Sequence, residues 1–173
     1  TEIIHYCWFG EASYTPLIEK CLKTWKKHLP DYEFILWNEN NFNINSNNWV
    51  QQAYKDKKYA FVSDYVRLYA LYKYGGIYLD TDIKVLKNFD DLLNESAFMC
   101  FEDVKGEVIA SCVIGAIPQH PFIAECMEYY KRDFDSKKIV DGNEANVIEI
   151  TRLLKEHGLK LGGKEQTLSL IHI

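Results

Sequence analysis

The chain contains no uninterrupted apolar run approaching the ~20 residues that a membrane-spanning helix needs, and no signal peptide is visible at its start. No transmembrane segment is expected, although Thr1 in the place of an initiating Met implies a native start that is missing or processed. A basic excess is lacking too. Lys and Arg number 20 against 25 Asp and Glu, a formal net charge of -5, which argues against a nucleic-acid surface but says nothing against one nucleotide held through a metal. The five cysteines, Cys7, Cys21, Cys100, Cys112 and Cys126, show no C-x-x-C pair and no zinc-finger spacing. Set mostly among apolar neighbours, they read as buried free thiols, and a reducing compartment follows. Disorder is excluded by 47% hydrophobic and 14% aromatic residues. A length of 173 residues fits one domain.

What is present concentrates between Tyr59 and Lys84, YAFVSDYVRLYALYKYGGIYLDTDIK. Phe61, Tyr65, Leu68 and Tyr72 recur at helical spacing, and Val62, Val66, Tyr69, Ala70 and Leu71 leave little of the remainder polar, which predicts a buried helix. Only Asp64 and Arg67 interrupt it, and a spacing of three brings them to one side. Gly75 and Gly76 end the helix, the first as a left-handed C-cap, before a short buried strand, Ile77 to Leu79. Asp80 and Asp82 follow at the strand's carboxyl end. With the backbone extended, both carboxylates project to one side, a like-charge cluster that calls for a hard divalent ion, magnesium or manganese, with coordination positions left for substrate phosphates. The Asp-x-Asp triplet alone is common on solvated turns. Its place behind a strand and a buried helix carrying Asp and Arg favours a site.

Taken in order, Ile3 to Phe9 reads as a first buried parallel strand ending at Gly10, with Trp8 either in the core or at the ligand-bearing carboxyl end. Thr15 and Pro16 open a helix to about His28, with Leu17, Ile18, Cys21, Leu22 and Trp25 inward. Tyr32 to Trp37 forms the next strand, and the asparagine-rich stretch from Asn38 to Asn48 favours turns. A short helix from Trp49 to Asp56 leads into the central one. Strands are expected at Ala97 to Phe101 and Val108 to Ile117, as a mixed-sheet edge, with Glu102 and Asp103 in a solvated turn between them. Helices are expected over 122–134 and 143–158 and a β-rich run over 168–173, giving an α/β chain whose central, mostly parallel sheet is flanked by helices.

The string SDYVRLYALYKYGGIYLDTDI, with the opening IIHYCWFG, resembles the DXD-containing sugar transferases of glycosyltransferase family 32. That family takes in bacterial capsular and lipopolysaccharide transferases, fungal mannosyltransferase relatives and the catalytic domains of clostridial glucosylating toxins. The resemblance implies a GT-A type, Rossmann-like nucleotide-sugar-binding domain over 1–173, cut short at its C-terminus, where relatives carry a closing segment. It further implies a retaining, metal-dependent transfer of a hexose from a UDP or GDP donor to a hydroxyl of a glycan or lipid-linked glycan. Asp82 is then the direct ligand of manganese or magnesium; Asp80 holds the ribose or sugar and the ion's hydration shell, with Tyr78 nearby. Asp64 and Arg67 meet the sugar hydroxyls and the phosphate side of the donor. Trp8 stacks on the base, and Asn38 is a candidate nucleotide contact against plain turn chemistry. His120, in a His-Pro pair, is either on the acceptor side or a packed, capping residue. The implied location is the cytoplasm, extending to peripheral association with the inner face of a bacterial membrane. Two rivals remain: an Asp-x-Asp phosphatase or phosphotransferase, where Ile83 and Lys84 stand in place of the usual Gly-Thr, and a non-catalytic nucleotide-sugar or glycan-binding fragment.

Overall fold

A computed structural model describes residues 2–135, 146–169 and 171–173. Its frame is a mixed sheet of seven strands among those residues, in the order β2-β1-β3-β5-β4-β7-β6. The first half is parallel: β1 (Ile3–Cys7) lies between β2 (Glu33–Trp37) and β3 (Gly76–Leu79), as expected of apolar strands joined through helices. Next comes β5 (Ile109–Ala116), antiparallel to both β3 and β4 (Ala97–Phe101). The pair was expected at an edge. It lies inside the sheet instead, because β7 (Ile171–His172) adds beyond β4 and carries β6 (Thr167–Leu168) with it. Of the expected 168–173 run, residue 170 lies outside the described residues.

Period-two alternation sends neighbouring strand residues to opposite faces and builds two apolar clusters. Ile4, Ile77, Leu79 and Phe98 pack with Trp25 of α1 (Pro16–His28) on one face. On the other, Cys7, Tyr78, Met99 and Ile114 meet α2 (Asn48–Lys55), α3 (Tyr59–Tyr74), α4 (Pro121–Glu128) and α5 (Asn146–Glu156). The opening of α1 is as expected: Thr15 Oγ1 accepts from Ile18 N at 3.4 Å, and Pro16 occupies the first turn. Leu17 is not inward; it is 59% exposed, because Ile18, Cys21 and Trp25 already define the packed stripe. The thiols are free as expected, but Cys100 is exposed. The helix expected over 122–134 stops at Glu128 and tightens into a 3-10 turn, Tyr129–Lys131. That turn brings Tyr129, Tyr130 and Phe134 around Trp49, with ring centroids 5.6, 5.2 and 4.9 Å away. Residues 143–145 of the last expected helix lie outside the described residues.

The central helix is buried as its composition requires, with Val62, Val66, Leu68, Ala70 and Leu71 inside. Gly75 closes it at φ 67°, ψ -167°, a positive φ with an extended ψ open only to glycine rather than the left-handed cap expected. At Gly76, φ 98°, a Cβ would stand 2.6 Å from the carbonyl oxygen of Ile3 on the neighbouring strand. Two glycines in series are needed because the chain reverses from α3 into β3 directly against β1.

His5 lies wholly buried beside this junction. The Trp37 Nε1–H can only donate, so His5 Nδ1 accepts it at 3.1 Å, and the proton on Nε2 goes to the Gly75 carbonyl at 2.8 Å. Burial holds its pKa below the ordinary value of 6.5.

Candidate functional site

Because β1 and β3 are parallel, their carboxyl ends open on one edge of the sheet. A cleft of about 480 Å³ opens there, with Trp8, Tyr59, Arg67, Tyr78, Asp80 and Asp82 among its lining residues. Five of those six were singled out by the sequence. Asp64 and Asn38 are not among the lining residues.

The centre of the wall is Arg67, a buried side chain whose three nitrogens are all engaged. Its Nη2 bridges Asp64 Oδ1 at 2.9 Å and Asp80 Oδ1 at 3.4 Å. Its Nη1 donates to the Ser111 carbonyl at 2.7 Å and to Ser111 Oγ at 2.9 Å, and its Nε to the Ser63 carbonyl at 3.3 Å. The guanidinium also stands 4.6 Å from the centroid of the Tyr78 ring. Burial pulls its pKa down, but the neighbouring Tyr78 and the carboxylates of Asp64 and Asp80 together more than offset this and keep it charged. The helix pair expected from spacing alone is thus tied directly to the Asp-x-Asp triplet.

Around that hub the ring closes. Asn146 Nδ2 donates to Asp64 Oδ1 at 2.9 Å, and Ser111 Oγ donates to Asn146 Oδ1 at 3.1 Å. Neither Ser111 nor Asn146 was singled out from sequence. Each reaches the site across a long chain separation, 44 residues for Ser111 to Arg67 and 82 for Asn146 to Asp64, and no local pattern marks them. Burial pushes the Asp64 carboxyl up to about 6, with help from Asp80 and against the pull of Arg67. Burial likewise raises Tyr78, whose hydroxyl donates to Asp80 Oδ1 at 2.8 Å.

The two aspartates do not continue an extended strand. Ile83 N donates to the Asp80 carbonyl at 3.0 Å and closes a β-turn over Asp80–Ile83, yet both aspartates still line the cleft. Helix α1 holds the backbone of that turn: Cys21 Sγ bonds to Asp82 O at 3.2 Å, Trp25 Nε1 to Ile83 O at 2.7 Å, and Thr24 Oγ1 accepts from Val85 N at 2.9 Å. The Asp82 side chain is exposed and makes no hydrogen bond or ion pair with another described residue, and Asp80 engages only Oδ1. This donor set fits a hard divalent cation. No group of three or more His, Cys, Asp or Glu gathers among the described residues, and a pair of carboxylates leaves positions for phosphate oxygens and water.

Trp8 is half-buried at the end of β1, its Nε1 donating to Ala12 O at 2.7 Å and its ring edge-on to Tyr14 at 5.0 Å. The Asn38 side-chain oxygen accepts from Asn40 N at 2.9 Å, the turn chemistry weighed against a nucleotide role. Asp103 accepts from Lys105 N and Gly106 N, each at 3.0 Å, so the Glu102–Asp103 region is a turn. His120 is buried and its Nδ1 caps α4 by accepting from Phe122 N at 3.2 Å.

Residues 16–99 match the family described as "Glycosyltransferase sugar-binding region containing DXD motif". Over that stretch, just under half of its length, the chain is similar to the DXD glycosyltransferases. It is 34% identical over 107 residues to inositol phosphoceramide mannosyltransferase 3 of Schizosaccharomyces pombe, a match covering 60% of this chain and 30% of that protein. Human alpha-1,4-N-acetylglucosaminyltransferase is 32% identical over 93 residues, 54% of this chain and 25% of the relative. Mouse lactosylceramide 4-alpha-galactosyltransferase is 41% identical over 89 residues, 44% and 23% of the two lengths. The matched stretches therefore span less than a third of these relatives. Among solved structures, PaToxG glycosyltransferase shares the fold at TM-score 0.69 and 17% identity, covering 91% of this chain and 69% of that one. This is the GT-A architecture expected. Among the described residues no helix is long and apolar enough to cross a membrane.

Proposed function

We propose that this chain is the donor-binding region, folded as one domain, of a metal-dependent glycosyltransferase that moves a hexose from a nucleoside diphosphate to a hydroxyl of a glycan or lipid-linked glycan. The observation that carries the reading is the bridge from Asp64 through Arg67 to Asp80 in the wall of a cleft that Trp8 and Asp82 also line. Asp82 contacts a manganese or magnesium ion directly, and Asp80 orients the donor and the ion's water shell. The ion's part is to neutralise charge developing on the diphosphate leaving group. Arg67 turns fixed positive charge toward the phosphates, and Asp64, held by Arg67 and Asn146, meets sugar hydroxyls. Trp8 stacks on the base. Transfer with retention of anomeric configuration, and a setting in bacterial capsular or lipopolysaccharide assembly at the cytoplasmic membrane face, belong to the same proposal.

A phosphatase with Asp80 as the attacking carboxylate predicts instead the release of free phosphate from simple phosphomonoesters. Calorimetric titration with UDP and GDP, with and without manganese, on the native chain and on Asp82→Asn, tests the donor reading. Binding of one nucleotide that needs metal and disappears in Asp82→Asn is expected, with folding stability unchanged to within about 0.5 kcal/mol because the side chain is exposed. Metal-independent binding, or none to the folded chain, overturns the site. Binding with no release of free sugar or transfer would assign the chain donor capture alone.

A further inference from the structure

A short loop, residues 8–12, leaves the end of β1 and brings Trp8, Phe9 and Ala12 to the lining of the cleft. Its flanks are fixed locally: Phe9 is buried against Phe42, with ring centroids 6.4 Å apart, and the Trp8 indole N–H closes the loop on the Ala12 carbonyl. Its middle is held from a distance. Gly10 N donates to Glu39 Oε1 at 2.5 Å, across 29 residues of chain, and the same oxygen accepts the Tyr54 hydroxyl at 3.0 Å. One carboxylate thus ties the loop after β1 to the turn after β2 and to α2. Burial alone would raise its pKa, but the N–H groups of Gly10 and of Glu39 itself, with the Tyr54 hydroxyl, more than offset this and hold it below the ordinary value of 4.5. The turn that presents Glu39 is itself locked: Asn41 Oδ1 accepts from Asn38 N at 3.0 Å, and Asn41 Nδ2 donates to the Leu36 carbonyl at 2.7 Å. On the far side of the loop, Gly10 lies so close to Tyr59, at the start of α3, that a Cβ there would stand 2.5 Å from the ring.

We propose that Glu39 is a positioning residue for the donor: by holding the Gly10 N–H, it sets the loop from which Trp8 meets the nucleotide base. The inference rests on the donor site proposed above and assigns part of its affinity to a side chain that is not among those lining the cleft. A loop ordered before the nucleotide arrives loses less freedom when it binds, and through that difference a carboxylate outside the cleft acts on affinity. Only the base half of the donor is affected. The phosphates and the ion face Arg67, Asp80 and Asp82, which α3 and the turn after β3 supply and which Glu39 does not contact.

Two measurements test it, one without nucleotide. Trp8 is half-buried while Trp25, Trp37 and Trp49 are buried, so acrylamide quenching of tryptophan fluorescence reads Trp8 above the others. Glu39→Ala should raise that quenching. In calorimetry with manganese, the same variant should bind UDP or GDP, whichever the native chain takes, about tenfold more weakly, and should bind inorganic pyrophosphate as the native chain does. Glu39→Gln keeps an oxygen acceptor without its charge and should lose only about threefold. Added to Trp8→Ala, Glu39→Ala should weaken nucleotide binding no further, because it acts through Trp8. Quenching unchanged in a folded Glu39→Ala chain overturns the hold on the loop. Unchanged nucleotide affinity, equal losses for nucleotide and pyrophosphate, or a loss that adds to that of Trp8→Ala overturns the positioning role. Should Glu39→Ala not fold, Glu39→Gln and Tyr54→Phe decide by the same criteria, each with about a threefold loss for nucleotide alone. A native chain that binds neither nucleotide counts against the donor site and the base role together, while the quenching still decides whether Glu39 holds the loop.

Discussion

Arg67 is the residue whose replacement the structure prices most closely. Five oxygens surround its guanidinium, two from carboxylates, two from Ser111 and one from Ser63, at 2.7 to 3.4 Å. Arg67→Lys keeps the positive charge but replaces a planar fork with a single point donor, which cannot face Ser111 and both aspartates at once. Losing one or two charge-assisted hydrogen bonds with burial retained costs about 1.5–3 kcal/mol. For a chain of this size that lowers the melting temperature by roughly 3–12 °C. Arg67→Met costs more, about 3–5 kcal/mol, because Asp64 and Asp80 then lie together without a cation. Urea denaturation followed by tryptophan fluorescence reads both changes. A charge-matched double variant, Asp64→Asn with Arg67→Met, should recover about 1 kcal/mol or more of the Arg67→Met loss, since one carboxylate no longer needs a partner. If Arg67→Lys lies within about 0.5 kcal/mol of the native chain, the hub is not holding the wall together, and its link to Asp80 has to be read as incidental.

Other consequences are as direct. Protonating His5 would set a second N–H against that of Trp37, and its folded pKa is depressed; stability is therefore full above about pH 6.5 and declines as pH falls through the folded value. In urea titrations from pH 7.5 to 5, the stability advantage of the native chain over His5→Gln should shrink; an advantage constant with pH refutes the neutral tautomer. Gly76→Ala should cost about 2 kcal/mol or more in the same assay, since its Cβ meets a sheet carbonyl that cannot step aside; a cost below about 0.5 kcal/mol would mean that the β1–β3 approach is looser than described. Trp8→Ala should weaken nucleotide binding by about 1–3 kcal/mol while leaving manganese-dependent pyrophosphate binding as it was, measured by calorimetry. Equal losses for both ligands would remove Trp8 from the base site.

Much of this was legible in the chain, for identifiable reasons. The central helix announces itself because nearly every side of it is apolar, and Gly75-Gly76 gives it a hard stop. The cleft lining was largely readable because residues at the carboxyl ends of parallel strands converge without further instruction. What could not be read are contacts between distant parts of the chain. Ser111 sits in the middle of an apolar strand and Asn146 in the first turn of a late helix; only the antiparallel return of β5 and the packing of α5 bring them to Arg67 and Asp64. The interior position of β4 and β5 was equally hidden, because two-residue strands such as β7 and β6 leave no periodicity to find. The extended backbone assumed for the aspartates gives way to a turn, closed by Ile83 N on the Asp80 carbonyl and held by bonds from Cys21 and Trp25 of α1 that no local pattern announces.

That last dependence separates form from chemistry. Helix α1 grips the turn by main-chain atoms only, so the exposed Asp82 carboxylate contributes little to its shape and is free to be exchanged. A chain with Asp82→Asn keeps the same wall, the same cleft and the same presentation, and lacks only the ligand. Conversely, Trp25→Phe leaves both carboxylates in the sequence while releasing the Ile83 carbonyl, so it should blunt metal affinity without touching a ligand. Two single substitutions can thus take the site apart along different seams, one removing the reagent and the other the mould.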